Sequence, residues 1–231
     1  MIRSVSFRQA SVRALLTDRY GGVSLAPFDS LNLALGVGDL ESAVLANRKQ
    51  LLSDLPAEPT WLSQVHSNRV VSGDELQSGV EADGSFTNEA GVVLAVMVAD
   101  CLPILLAGKR SDEIAVVHAG WRGLHAGVIE AGVSKFAGGE VEAWIGPGIG
   151  QCHYEVSHEV FDCFDDRYFV DGRDADHWMF DTRGVALEQL QNAGVKHVNS
   201  LDHCTYCDAQ YFSYRRDGRT GRFAALMWLE R

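Results

Sequence analysis

VVLAVMVADCLPILLAGKRSDEIAVVHAGWRG, residues 92–123, carries the pattern that decides the fold class. Residues 92–99 are apolar throughout, as expected of a β-strand covered on both faces, and far too few to cross a membrane. The run delivers Asp100 and Cys101 and is then interrupted by Pro103, which cannot donate to an interior ladder. Residues 104–107 and 114–117 read as an antiparallel hairpin turning near Lys109 and Arg110, a register that sets Cys101 opposite His118. Opposed residues have Cβ atoms about 4.5–5.5 Å apart, a span that one metal with bonds of about 2.0 and 2.3 Å bridges. After His118 the chain breaks at Gly120 and Gly123 and enters a helix over about residues 124–136, which ends before Gly138 and Gly139.

Outward from this segment, strands and helices alternate without a linker. Residues 12–17 read as a strand, and 41–55 as an amphipathic helix with Val44, Leu45, Leu51, Leu52 and Leu55 on one side. A strand at 141–145 is followed by helices near 157–164 and over 182–193, the latter stopped by Gly194. The C-terminal part is strand-rich: residues 196–201, then a hairpin of 211–216 and 223–229 around a turn containing Asp217 and Gly218. No internal repeat or low-complexity segment is present. The pattern predicts an α+β class, one compact domain over residues 1–231 with mixed β-sheets flanked by helices, and it leaves the strand order open.

Composition narrows the function. A chain of 231 residues, 46% hydrophobic and with only 5 prolines, buries one sizeable core and carries no stretch of disordered composition. Its net charge of −11 is spread along the length. That reads as a solubilising surface and argues against a nucleic acid as partner. The first twenty or so residues have no uninterrupted apolar core and no run spans a bilayer, so a cytoplasmic protein without a membrane partner is expected. The 5 cysteines, at 101, 152, 163, 204 and 207, are odd in number and sparse. They read as reduced thiols, core residues or metal ligands before a disulfide framework.

The sequence also resembles the YfiH-like proteins, once filed as polyphenol oxidoreductase laccases and now regarded as purine nucleoside phosphorylases. The matching stretches are TDRYGGVS (17–24), SLNLALGVGD (30–39), NR (47–48), QVHS (64–67), ADCLPI (99–104), HAGWRG (118–123), IGPGIGQCHYEV (145–156), CTYC (204–207) and YFSYRRDGRTGR (211–222). They run through nearly the whole chain in order. The resemblance implies one zinc on His66, Cys101 and His118, the first of which no spacing argument reaches. It also implies phosphorolysis of adenosine, inosine and methylthioadenosine, and deamination of adenosine.

Three protein ligands leave a fourth position open, the mark of a catalytic rather than a structural zinc, and a His-His-Cys set suits zinc or, in vitro, copper. Such a zinc lowers the pKa of water to about 7, giving a nucleophile for C6 of adenine. Phosphorolysis needs an anion site. The turn over residues 120–123 with Arg122 is one candidate and Arg48 a second, while Gln64 is a candidate for positioning the purine or ribose. Cys152 and Cys163 read as buried thiols, and Trp121 as closing the turn before the helix. Arg215, Arg216, Arg219 and Arg222 read as a solvated basic face whose functional alternative is phosphate contact. GPGIG at 146–150 lacks a dinucleotide fingerprint.

Two rival readings use the same residues. His153-Tyr154-Glu155 and Cys204 to Cys207 fit H-x-E and C-x-x-C of a cytidine-deaminase-like zinc hydrolase, although His203 stands where that signature has proline. A reduced version is a structural zinc at Cys204 and Cys207. The other rival is a non-enzymatic metal-binding module. A multicopper oxidase is disfavoured because no H-x-H occurs.

Overall fold

The computed structural model describes residues 2–109 and 112–230. The strands of its first half are β1 (Ile2–Val5), β2 (Val12–Thr17), β3 (Thr60–Trp61), β4 (Val70–Val71), β5 (Gly84–Thr87), β6 (Leu94–Val98) and β7 (Leu102–Gly108). Those of the second are β8 (Ile114–Ala119), β9 (Val141–Ile145), β10 (Glu155–Val156), β11 (Phe169–Asp171), β12 (Trp178–Phe180), β13 (His197–Ser200) and β14 (Phe223–Leu229). The helices are α1 (Glu41–Leu51), α2 (Trp121–His125), α3 (Val128–Val133), α4 (His158–Phe161), α5 (Thr182–Asn192) and α6 (Tyr214–Asp217). This is the mixed α+β class expected of the sequence. No helix among the described residues is long and apolar enough to cross a membrane.

Two mixed sheets form the frame, ordered β1-β2-β14-β6-β3 and β13-β9-β7-β8-β5-β4, beside a small sheet β10-β12-β11. The period-two alternation of β7 explains the layering. Leu102, Ile104 and Leu106 pack with Leu124, Ile129, Val185 and Leu190 of the helices, while Leu105 and Ala107 pack with Val96, Val98, Phe223 and Met227 of the other sheet. Both faces of β7 are therefore buried, so its sequence is apolar without alternation. On the other face of the five-stranded sheet, Leu31, Leu33 and Leu51 pack with Trp61, Ala95, Leu226 and Trp228 of its strands.

Several expectations change. The β7–β8 register pairs Leu102 with Ala119 and Pro103 with His118, two residues away from the predicted pairing. The hairpin closes through Gly108 N–H donating to Glu113 O, which moves its centre one residue beyond the expected one. Of the predicted turn residues, Arg110 lies outside the described ones. A two-residue slip preserves the face on which each side chain points, so Cys101 and His118 stay on one side. Pro103 sits within β7 instead of interrupting it, near the strand start where a missing donor matters least.

The helix expected over 124–136 begins earlier and is split: Gly127, at φ 83, ends α2 and starts α3. In α1 the buried side chains are Val44, Asn47 and Leu51, whereas Leu45 is 50% exposed. The hairpin of 211–216 with 223–229 does not form. Both edges of β14 are taken by β2 and β6, and Ser213 Oγ accepts from Arg216 N–H to start α6.

Candidate active site and metal centre

Three chain segments converge at one end of the sheets. β6 ends at Val98, and the turn into β7 holds Asp100 at φ 95, a conformation that an L-residue adopts only under constraint. The constraint is visible: Asp100 Oδ1 accepts from Thr205 Oγ1 at 2.6 Å and Oδ2 from Arg215 N–H at 2.7 Å. Cys101 follows, one step beyond the Leu102–Ala119 pair and level with Gly120. His118 is the second-last residue of β8, and His66 comes from the loop after β3, at φ 61.

One buried carboxylate organises this convergence. Asp83 Oδ2 accepts from the N–H groups of Val65 (3.2 Å) and Ser67 (2.6 Å) and from Ser67 Oγ (2.8 Å). Its Oδ1 accepts from His66 N–H at 2.9 Å and lies 2.8 Å from His118 Nδ1. An ionised carboxylate only accepts, so His118 Nδ1 carries the hydrogen and Nε2 is left as the ligand atom. Cys101 Sγ lies 3.8 Å from His66 Nε2, and the ligand atoms of His66, Cys101 and His118 all lie within 4.8 Å of one another. Gly120 is obligatory here, because a Cβ would stand 2.8 Å from His66 Cδ2 and 3.0 Å from Cys101 Sγ.

The charges of the trio are set by mutual contact. Burial pushes the Cys101 thiol up, but the His118 charge and hydrogen bond, with help from His66, bring it down to about 6. Burial pushes His118 down, but the Cys101 charge and the Asp83 hydrogen bond lift it to about 9. Asp83 is likewise raised by burial, and more strongly lowered, to about 2, by His118 and Ser67. The donor set fits zinc on these observations: a thiolate, two imidazoles, and a carboxylate behind one of them that fixes its tautomer.

The trio opens onto a cavity of about 610 Å³, a size typical of small-molecule sites. Gln64, Tyr154, Thr182, Arg122, Arg215 and Arg222 are among its lining residues. Of the sequence candidates, Arg122 lies at the exposed rim, paired with Glu159 at 2.6 Å and stacked on Trp121. Gln64 has both ends of its amide engaged by the backbone of Met97, at 2.8 Å each. Arg48 does not line the cavity: it donates to Leu33 O, lies over Trp61 and touches Met97 Sδ from behind. Sequence reading missed Asp83 altogether, because an acid in a polar loop carries no signal until the loops it bridges are seen. It set Arg215 and Arg222 aside as a surface face, whereas both line the cavity.

A second group of potential ligands lies beside the first. Cys152, His153, Cys204 and Cys207 place their ligand atoms within 4.8 Å of one another. Cys152 is thus exposed and clustered instead of buried. Glu155, the acid of the deaminase-like motif, belongs to β10 and accepts from Arg173 N–H at 2.8 Å, apart from this group.

Residues 13–230 match the family described as multi-copper polyphenol oxidoreductase laccase. The chain belongs to this family. A purine nucleoside phosphorylase, YfiH, of Escherichia coli is 43% identical over 231 residues, covering 94% of each chain. One of Pseudomonas aeruginosa is 44% identical over 230 residues, with 96% of this chain and 95% of the relative covered. Among solved structures, protein NMB0706 of Neisseria meningitidis superposes with a TM-score of 0.93 at 37% identity, over 100% of this chain and 99% of that one. YlmD of Geobacillus stearothermophilus does so at 0.89 and 31%, over 98% and 94%.

Proposed function

We infer that this member of the family is a cytoplasmic purine nucleoside phosphorylase that also deaminates adenosine, using one zinc on His66, Cys101 and His118. The observation that carries the reading is the two-histidine, one-cysteine group opening onto a cavity of nucleoside size that arginines also line. The relatives' names support it. When bound, zinc supplies Lewis acidity and lowers the pKa of water to about 7.

The chain's own groups perform the rest. In phosphorolysis the C1′–N9 bond breaks, a phosphate oxygen bonds to C1′, and the purine leaves with the electron pair and takes up a proton. Arg222 and Arg215 hold the phosphate in this reading. Burial lowers the Arg222 pKa against the raising charges of Cys101 and Asp100, which marks a guanidinium short of solvent and suited to an anion. Arg122, at the rim, steers the anion inward. Tyr154 is pushed above its ordinary pKa by burial and by Cys101, so its hydroxyl stays protonated and donates to the substrate. Thr182 lines the cavity with a buried hydroxyl that has no partner among the described residues, a ready contact for ribose or base. Gln64 acts indirectly, fixing Met97 on the cavity wall.

The deciding experiment incubates zinc-loaded protein with adenosine, with and without phosphate, and separates the products. Adenine and ribose 1-phosphate appearing only with phosphate support phosphorolysis, and inosine supports deamination. Absence of all three, in folded protein with zinc bound, returns the chain to the binding-module reading.

A further inference from the structure

The four residues Cys152, His153, Cys204 and Cys207 come from two loops that sequence separates by about fifty residues. Cys152 and His153 lie in a single 3₁₀ turn after β9, and Cys204 and Cys207 in the loop after β13. Parallel pairing of β9 with β13 brings the two loops together, and a bridge between Gly148 and Cys204 continues that pairing into them. The side chains converge: Cys152 Sγ and Cys207 Sγ are 3.8 Å apart, and His153 Nδ1 lies 3.2 Å from each. Gly150 N–H donates to Cys204 Sγ at 3.1 Å, the kind of bond a sulfur bearing negative charge accepts well. The His153 ring is held by stacking on Tyr206, centroids 4.1 Å apart and planes within 14°.

We propose that Cys152, His153, Cys204 and Cys207 form a second, structural zinc site that staples the β9 and β13 loops together next to residues of the active-site cavity. Bonds of about 2.3 Å to sulfur and about 2.0 Å to nitrogen on a tetrahedral ion put sulfurs about 3.8 Å apart and nitrogen about 3.5 Å from sulfur, close to the spacing found. Three sulfurs and one imidazole fill all four positions, so this ion has no open place for substrate and its role is mechanical. It departs from a C-x-x-C site alone, since Cys152 and His153 complete the coordination. The staple reaches the cavity from both sides. Tyr154 follows His153 directly, and Thr205, next to Cys204, donates to Asp100 at 2.6 Å and so supports the strained residue before Cys101. The ion takes each cysteine as a thiolate, so binding releases the proton of every ligand cysteine that was still a thiol.

The test counts metal where the first site cannot contribute. Cys101→Ala protein, loaded with zinc and desalted, is expected to keep one zinc per chain by native mass spectrometry. Adding Cys204→Ser and Cys207→Ser should take that to none. Because such variants can misfold, alkylation mapping on otherwise unaltered protein gives a second reading: Cys152, Cys204 and Cys207 should be protected at least tenfold in the zinc-loaded chain and become reactive after chelation, while Cys163 changes little. Equal reactivity with and without zinc, zinc content indifferent to the loss of Cys204 and Cys207, or a Cys152–Cys207 disulfide in the zinc-loaded chain would each overturn the proposal. None of these outcomes depends on what His66, Cys101 and His118 bind, so failure here leaves the catalytic reading standing, and the reverse.

Discussion

Replacing Asp83 with asparagine tests the idea that one buried carboxylate sets both the shape and the protonation of the metal centre. The side chain changes by one atom, but that atom becomes a donor. If the amide oxygen stays where Oδ2 was, it still accepts from Val65, Ser67 N–H and Ser67 Oγ, and the amide nitrogen then faces His66 N–H and His118 Nδ1. His118 relieves the clash by accepting at Nδ1, which moves its hydrogen to Nε2, the atom needed for zinc. Loss of such an orienting partner lowers metal affinity 10- to 100-fold, or about 1.4–2.7 kcal/mol. The metal-free fold weakens as well. A carboxyl held at about 2 against an ordinary 3.8 contributes roughly 2 kcal/mol at neutral pH, present above 3.8 and lost as pH falls through about 2. Competition with a chromophoric chelator reads the affinity, and denaturant unfolding of metal-free protein reads the stability. Wild-type values in both would refute the argument; a stability loss with unchanged affinity would reduce Asp83 to a loop anchor.

Gly120→Ala should abolish zinc binding at His66, Cys101 and His118 in a chain that still folds, because its Cβ would stand 2.8 Å from His66 Cδ2; metal content with a circular dichroism melt checks both halves. In metal-free protein the Cys101 thiolate should appear with a midpoint near pH 6 in ultraviolet absorbance, and in His118→Ala only at distinctly higher pH. The sign follows from the shifts: the raised His118 contributes stability fully present below pH 6.5 and lost as pH rises through about 9, and the depressed Cys101 loses its contribution as pH falls through about 6. Zinc uptake at pH 7.5 should therefore release the His118 proton, an effect that fades above pH 9 and is measured by calorimetry in buffers of different ionisation enthalpy. Arg222→Met should raise the phosphate concentration needed for phosphorolysis by about 10- to 100-fold, as expected for a lost charge-assisted bond of about 1.5–3 kcal/mol, and leave deamination within a few-fold. Equal loss of both activities at an unchanged melting temperature would move the phosphate elsewhere.

What the sequence determined by itself is what depends on local pattern. The unbroken apolar runs around Cys101 and His118 require strands buried on both faces, and the register error of two residues left both side chains on one face because side-chain direction repeats every two residues. Of the two glycines expected to break the chain, Gly120 does so as the residue before α2, whereas Gly123 lies inside that helix, and the mixed α+β class follows from the alternation of periods. What only the tertiary structure decided is what depends on contacts between segments distant in the chain. The 211–216 stretch has strand-like composition, yet β14 had no free edge left for it. Asp83, Arg215 and Arg222 become site residues only because β5, α6 and the start of β14 arrive beside β8. Cys152 read as a buried thiol for the same reason: its partners lie about fifty residues away, and the parallel pairing of β9 with β13 that brings them within 4.8 Å is a property of the folded sheet, with no periodicity in the chain to announce it.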